Sequence, residues 1–117
     1  MKSLILIGLA FMAPLLTASS AFGIYFTDGN ELVSNLYEHE KAERRETFNG
    51  VGDGLFMGFV IGVTDTLGDT LCISGKVTGR QVYAIAAKYL KEHPEQWSQP
   101  AYQLVTSALR SAFPCRK

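Results

Sequence analysis

The sequence predicts an all-α protein, a compact bundle of about four helices closed by one disulfide. Apolar residues recur three and four positions apart in four segments, which is the spacing of one helix face. Nowhere does an alternation of apolar and polar residues persist over five positions, as a half-buried strand requires. The chain has 117 residues, a formal net charge of +0 and 47% hydrophobic residues. These values indicate one folded domain and argue against a nucleic-acid-binding surface, which carries a basic excess.

Residues 1–23 are predicted to be a signal peptide. Lys2 precedes an apolar run over residues 4–13, and Pro14 and small residues follow as far as Ala21. A positive start, an apolar core and a small-residue exit are the three parts of a secretory signal. The run is too short for a membrane anchor, which needs roughly 18–20 apolar residues. Cleavage after Ala21 or Gly23 leaves residues 24–117 as a single exported domain that no longer contacts a membrane.

The first helix is predicted over residues 30–45. Its apolar stripe consists of Leu32, Val33, Leu36 and Tyr37. The charged run 38–46 follows, and a run of mixed sign is typical of a solvated helix end, with a partner-facing patch as the alternative reading. His39, between two glutamates in this run, is only a weak suggestion of a metal ligand.

The second helix, predicted over residues 51–71, carries a stripe of small residues. Glycines recur at every fourth position, and each internal glycine costs about 1 kcal/mol of helix propensity relative to alanine. Small residues four apart let another backbone approach closely. We therefore expect a neighbouring helix, from this chain or from a second subunit, to pack on the stripe, whose helix-packing residues are Gly54, Gly58, Gly62 and Asp65.

The third and fourth helices have clear boundaries in the sequence. Thr78-Gly79-Arg80-Gln81 fits a capping box at the start of the third helix, and Pro94 stops that helix near His93. Ser98 is predicted to cap the fourth helix, with Pro100 in its first turn and Pro114 at its end. The predicted apolar face of the fourth helix consists of Ala101, Leu104, Val105, Ala108, Leu109 and Ala112.

Cys72 and Cys115 are predicted to form a disulfide, because an isolated cysteine pair in an exported chain is normally oxidised. Such a link stabilises a small domain by roughly 4 kcal/mol in the loop-entropy model. The rival interpretation, a cysteine nucleophile with His93 or His39 as base, has no supporting motif around either cysteine. Asp65 and Asp69 are the only candidate acid–base pair, and a helical bundle of this size has little room for a substrate cleft beside them.

The sequence therefore predicts no catalytic residues, no metal site and no cofactor.

Several segments together resemble the Rap/Tai family of type VI secretion immunity proteins. They are the run 58–65 with its Gly-x-x-x-Gly-x-x-Asp pattern, Cys72 followed by 77–81, 88–90 with Pro94, and 104–109 leading to the Phe-Pro-Cys ending at 113–115. The resemblance covers roughly residues 50–115. Ser74 replaces the proline that usually lies two places after the first cysteine.

The resemblance implies a periplasmic helical homodimer that binds a secreted peptidoglycan amidase toxin and occludes its active site without any chemistry of its own. Family inhibitors present loops, so we expect toxin contacts in two connections and, less strongly, at Asn49, Gly50 and Asp53. The predicted toxin-binding residues are Ser74, Gly75 and Lys76 in the first connection and Glu92, His93, Glu95 and Gln96 in the second. The alternatives are a periplasmic acid-stress chaperone of the small, helical, single-disulfide kind and a small hydrolase that uses Asp65 and Asp69.

Overall fold

The computed structural model describes Ser3 and residues 23–116, so nearly all of the predicted signal peptide lies outside the described residues. The all-α prediction is confirmed. The only extended pairing among the described residues is one isolated bridge between Asp28 and Pro100. The four α-helices are α1 (Gly29–Glu43), α2 (Gly50–Leu67), α3 (Gly79–Glu92) and α4 (Ala101–Ala112), with 3₁₀ turns at Gly68–Thr70 and Pro94–Gln96.

The helices are arranged as two packed pairs. α1 packs most extensively against α2, and α3 against α4. Glu38 stabilises the turn between α1 and α2, because its carboxylate accepts hydrogen bonds from Lys41 Nζ at 2.7 Å and from the backbone amide of Asn49 at 2.7 Å. The Lys41 bond, followed by the Asn49 amide, lowers the pKa of the Glu38 carboxyl below its usual range. Asn49 in turn caps α2 by accepting from the Val51 amide at 2.9 Å.

α2 ends earlier than the sequence predicts. The expected helix extended to Leu71, whereas the α-helix stops at Leu67 and a 3₁₀ turn follows. Gly68 causes the break, because its φ of 47° lies in the left-handed region, which an L side chain rarely adopts and glycine adopts freely. Asp69 and Cys72 therefore do not continue the α2 face that carries the glycines.

The capping box of α3 is present as predicted. The Gln81 amide donates to Thr78 Oγ1 at 3.2 Å, and the Thr78 amide donates to Gln81 Oε1 at 2.8 Å. The predicted cap of α4 is wrong. Ser98 lies in a turn before the helix, and Pro100, with ψ of 132°, is the residue that precedes the first helical position.

The core is formed by one face of each helix. Phe56 and Val60 of α2 are fully buried, and α3 contributes Val82, Ala86 and Leu90. Two predicted core positions are wrong: Tyr37 is 46% exposed, and Ala112 is exposed at the end of α4. The other buried apolar residues of the described chain are Leu32, Val33, Leu36, Leu71, Ala101, Leu104, Val105, Ala108 and Leu109.

The disulfide between Cys72 and Cys115 is present, with a Cα–Cα distance of 4.9 Å. This distance lies within the range of ordinary disulfides. The Cys72 amide also donates to the carbonyl of Phe113 at 3.3 Å. The segment after α2 and the segment after α4 are therefore joined by a covalent bond and a backbone hydrogen bond.

Candidate functional site

The two connections predicted to bind a partner lie at opposite ends of α3. The first, around Ser74–Lys76, precedes α3, and the second, around Glu92–Gln99, follows it. Because α3 has 14 residues, its ends are about 21 Å apart at 1.5 Å per residue. The structure therefore does not bring the two connections together at one point. A single partner that contacts both must lie along α3.

The first connection is an exposed loop fixed at its base. Ser74, Gly75 and Lys76 are all exposed, and Gly75 has a φ of 85°, which favours glycine at the tip. Val77, at the other end of the loop, packs against the core. The loop also lies against the carboxyl-terminal segment, since Ser74 and Cys72 line an open depression together with residues 112–114 and Arg116. A short loop held in this way loses little conformational entropy on binding.

The second connection is held by side-chain contacts on both sides of its 3₁₀ turn. Tyr89 donates from its hydroxyl to Gln96 Oε1 at 3.1 Å, and its ring lies 4.2 Å from the ring of His93. Trp97 donates its indole N–H to the Leu90 carbonyl at 2.7 Å and packs on the core. Trp97 therefore belongs to the core of the domain.

Glu95 is an exposed carboxylate within the second connection. It lies in the middle of the 3₁₀ turn, and His93 Nδ1 is 3.1 Å from its Oε1. The hydrogen bond from its own backbone amide, and then the contact with His93, lower the pKa of the Glu95 carboxyl. The turn therefore presents a fixed negative charge to solvent at the end of α3.

The surface between the two connections carries side chains of both signs of charge. An open groove of about 480 Å³ runs between α1 and α3. Arg80 pairs with Glu43 at 2.5 Å, and Lys91 pairs with Glu40, so two ion pairs join the helices across this groove. The exposed side chains Lys88 and Glu92 complete the charged rim. We define the α3 face as the first connection, the exposed side of α3 and the second connection.

His39 is buried beneath the α3 face, which the charge pattern does not predict. It is 9% exposed, although it lies in the charged run 38–46. Its Nδ1 lies 2.7 Å from Asp53 Oδ1, which joins α1 to α2. Its ring contacts Phe56 at 5.1 Å and meets Tyr83 of α3 edge-on at 5.5 Å. His39 therefore contacts three helices, and the spacing of three residues from Leu36 is the only sequence signal for its burial.

The glycine stripe of α2 has no neighbour within the described chain. A Cβ atom built at Gly54, Gly58 or Gly62 would meet nothing within 4 Å. No helix among residues 23–116 packs there, and the packing of a second subunit on the stripe stays a prediction. Asp65 is exposed, and its carboxylate has no hydrogen-bond partner among residues 23–116.

The close contact between backbones that was expected at the glycine stripe is found instead at Gly29, at the start of α1. A Cβ atom there would lie 2.6 Å from Leu104 Cδ1 and 2.7 Å from the Trp97 backbone. The Gly29 amide also donates to the Gln99 carbonyl at 2.9 Å. The amino end of α1 is therefore pressed directly onto the α3–α4 connection.

The candidate acid–base pair from the sequence is divided between two elements. Asp65 lies on α2 and Asp69 in the following 3₁₀ turn, with the break at Gly68 between them, and both are exposed. The weaker third binding candidate consists of Asn49, Gly50 and Asp53. The Asp53 carboxylate already contacts His39, whereas Asn49 and Gly50 are exposed. Within Ser3 and residues 23–116, no three His, Cys, Asp or Glu side chains are placed to hold a metal ion.

The fold is that of a small helical domain closed by one disulfide, with two exposed connections at the ends of α3 and an exposed glycine stripe on α2. The family model of the Rap1a immunity proteins matches residues 28–115, from the cap of α1 to the second cysteine. The chain therefore belongs to the Rap1a immunity protein family. Members of this family are typically periplasmic and generally non-catalytic. No curated protein and no solved structure matches the chain.

Proposed function

We propose that this chain is a periplasmic immunity protein that binds a type VI secretion peptidoglycan amidase and occludes its active site. The observation that carries the proposal is the family match across all four helices. The family supports an immunity function and a toxin partner. Export through a cleaved signal peptide at residues 1–23 and a homodimeric state complete the proposal. Occlusion requires no catalytic group in the inhibitor, so the protein acts by binding alone.

The α3 face is the proposed toxin-binding surface. Its two connections are exposed and fixed by contacts to the core, and α3 holds them about 21 Å apart. A standard interface buries about 800 Å² per partner, which corresponds to a patch of roughly 28 Å across. One toxin molecule can therefore contact both connections and the ion pairs between them.

The acid-stress chaperone is the weaker alternative. It shares the size, the helices and the single disulfide, but the family match supports immunity. A chaperone of that kind binds many unfolded proteins at acid pH, whereas an immunity protein binds one folded toxin at neutral pH. The two functions are therefore separated by the number of partners and by the pH at which binding occurs.

The test is inhibition of purified peptidoglycan amidases of the type VI class by the oxidised protein at neutral pH. We expect one amidase of a panel to form a stoichiometric complex and to lose activity on peptidoglycan. Replacement of Ser74-Gly75-Lys76 by Gly-Gly-Ser, which keeps glycine at the tip, and separately Glu95→Lys, should each weaken inhibition at least 10-fold, because both lie on the α3 face. Both changes spare Trp97 and Gln99, which hold the fold.

The matched control is Ser34→Lys, an equally exposed change on α1. It should leave inhibition and the helical circular dichroism signal unchanged. Unaltered inhibition by both α3-face variants would overturn the assignment of the surface. Failure to inhibit any amidase, together with binding of many unfolded proteins at acid pH, would replace the immunity function with the chaperone.

A further inference from the structure

The disulfide lies on the surface of the domain, outside its core. Cys72 and Cys115 are both exposed, and neither belongs to the cluster of buried residues that packs the four helices. The core begins next to them, since Leu71 is 6% exposed and Phe113 packs against the buried cluster. Reagents dissolved in water can therefore reach the half-cystines without any opening of the core.

An open depression of about 640 Å³ lies beside the disulfide. Cys72, Ser74 and residues 112–114 line it, and Arg116 contributes a positive charge to its lining. Thiol–disulfide exchange begins with the attack of a thiolate, and a nearby cation stabilises both the attacking anion and the thiolate that it displaces. The surroundings of the disulfide therefore suit attack by an external thiolate.

The disulfide is also the strongest restraint on the two exposed segments that it joins. Residues 72–76 are exposed without interruption, and among the described residues no backbone hydrogen bond involves 73–76. The amide of Cys72 donates to the Phe113 carbonyl at 3.3 Å, which is long for a bond of this type. Reduction therefore leaves a weak hydrogen bond between the first connection and the carboxyl-terminal segment.

The packing of the helices does not depend on the disulfide. α3 and α4 pack extensively against each other. Leu90 of α3 and Leu104 of α4 are each 1% exposed, and Leu109 of α4 is fully buried. These contacts lie in the core and involve neither cysteine. The structural effect of reduction is therefore confined to the exposed segments.

We propose that the Cys72–Cys115 disulfide is a site of thiol–disulfide exchange with a dithiol. Reduction at this site releases the first connection and the carboxyl-terminal segment, while the four helices stay folded. Exposed disulfides are the ones that thiols reduce most readily, whereas buried structural disulfides resist reduction. The exposure of both half-cystines and the depression beside them are the observations that carry the proposal.

The exchange transfers two electrons in two displacement steps. A thiolate of the dithiol attacks one sulfur of the disulfide and forms a mixed disulfide with it, and the other cysteine leaves as a thiolate and takes up a proton. The second thiol of the dithiol then loses its proton and attacks the sulfur of its own molecule in the mixed disulfide. The remaining cysteine leaves and is protonated in turn. The protein gains two thiols, and the dithiol becomes a disulfide.

The consequence for toxin binding rests on the proposed function. Residues 74–76 form one end of the α3 face, and a released loop must be ordered again on binding, which costs affinity. The second connection is held by Trp97 and Tyr89, away from the disulfide. The Cys72→Ser/Cys115→Ser variant should therefore inhibit an amidase several-fold less strongly than wild type. Equal inhibition by the two proteins would overturn this consequence.

Limited digestion with trypsin tests the release of the loop in the full-length chain purified from the periplasm. Trypsin cleaves after lysine, and Lys76 lies in the loop, whereas Lys88 lies within α3. Reduction with dithiothreitol, followed by blocking of the thiols, should raise the cleavage rate at Lys76 at least 10-fold. The cleavage rate at Lys88 and the helical circular dichroism signal should not change. Mass spectrometry of the fragments identifies the bond that is cut.

The rate of reduction by dithiothreitol tests the exchange site itself. Exchange on the folded protein should proceed at the same rate in all urea concentrations below the unfolding transition. A reduction rate that rises with urea in proportion to the unfolded fraction would overturn the site, because the disulfide would then react only in the unfolded chain. Thiols are counted by alkylation and mass spectrometry at each time point.

The matched control for digestion is the Cys72→Ser/Cys115→Ser variant. It should be cut at Lys76 as fast as the reduced wild type, and dithiothreitol should not change that rate. Cleavage at Lys76 that is no faster after reduction would overturn the release of the loop. Cleavage at Lys88 that accelerates equally would also overturn it, because the whole domain would then have unfolded.

The outcome is separable from that of the proposed function, since neither digestion nor reduction involves a toxin. Rapid reduction of the folded protein and fast cleavage at Lys76, in a protein that inhibits no amidase, would support the exchange site and reject the immunity function. A protein that inhibits an amidase, but whose disulfide resists dithiothreitol until the chain unfolds, would do the reverse.

Discussion

Gly29 and His39 show how single residues tie the helices to one another. Gly29 allows the backbone of α1 to contact the Trp97 backbone directly, since no side chain separates them. His39 connects helices through a large side chain instead. Its ring fills the space between α1, α2 and α3, and its Nδ1 contacts Asp53 of α2. Both residues act through contacts between elements distant in sequence.

The first residue-scale prediction concerns Gly29→Ala. The new methyl group would lie 2.6 Å from Leu104 Cδ1 and 2.7 Å from two backbone atoms of Trp97, and backbone cannot move aside cheaply. We expect a loss of about 2–3 kcal/mol in the free energy of unfolding, as for other overpacked sites. Urea denaturation followed by circular dichroism measures it.

Gly50→Ala is the control for this change. The nearest atom to a Cβ at Gly50 is Phe48 Cε2 at 4.0 Å, and alanine is the better helix former. That variant should be neutral or slightly more stable than wild type. Equal stability of the two variants would contradict the close approach at Gly29.

The second residue-scale prediction concerns the contact between His39 and Asp53. His39→Leu removes the partner of a carboxylate whose side chain is only 16% exposed. A partly buried polar group without a partner is costly, so we expect a loss of about 1–3 kcal/mol. Asp53→Ala added to His39→Leu should recover part of this loss, because the stranded carboxylate is then absent.

A double-mutant cycle in urea gives the coupling between the two side chains. The four proteins are wild type, the two single variants and the double variant. Strictly additive losses would mean that the 2.7 Å contact contributes nothing to stability.

At the scale of elements, the disulfide closes one half of the bundle. Cys72 precedes α3 and Cys115 follows α4, so the 43-residue loop between them contains this whole helix pair. α1 and α2 lie outside the loop and are held by noncovalent contacts alone. The two halves of the bundle therefore depend on different kinds of constraint.

The element-scale prediction is that reduction lowers the free energy of unfolding by up to about 4 kcal/mol, the loop-entropy value for this separation. The measurement is the urea midpoint with and without a reductant. A Cys72→Ser/Cys115→Ser variant should match the reduced protein and should not respond to the reductant. Identical midpoints for oxidised and reduced wild type would show that the link contributes nothing.

At the scale of the whole molecule, the fold follows from local signals and the surfaces do not. The sequence predicts the capping box at Thr78 and the end of α3 before Pro94, because each depends only on residues within one or two helical turns. It also predicts the disulfide, because the chain has only two cysteines. The burial of His39 depends on Asp53 and Tyr83, which are distant in sequence. Likewise, the spacing of Gly54, Gly58 and Gly62 predicts a close contact but does not show whether this chain supplies it.

The predicted toxin-binding connections illustrate the same limit. Proline and glycine mark both as loops, and both are exposed or partly exposed in the structure. Their placement at the two ends of α3 could not be deduced from spacing, because it depends on where each helix packs. Nothing local in the sequence distinguishes Trp97, which packs on the core, from Tyr102, which lines a groove.

The backbone hydrogen bonds between residues 27–30 and 97–101 affect the order in which the chain folds as it is synthesised. The amides of Gly29 and Asn30 bond to the carbonyls of Gln99 and Trp97, and the Ala101 amide bonds to the Thr27 carbonyl. The start of the domain is thus held by residues made near its end. A nascent chain that lacks residues beyond about 96 cannot form these bonds, so the amino end of α1 is fixed only when nearly the whole chain has emerged. For the export proposed above, such late closure would leave the chain able to pass through a translocation channel until its carboxyl end has been made.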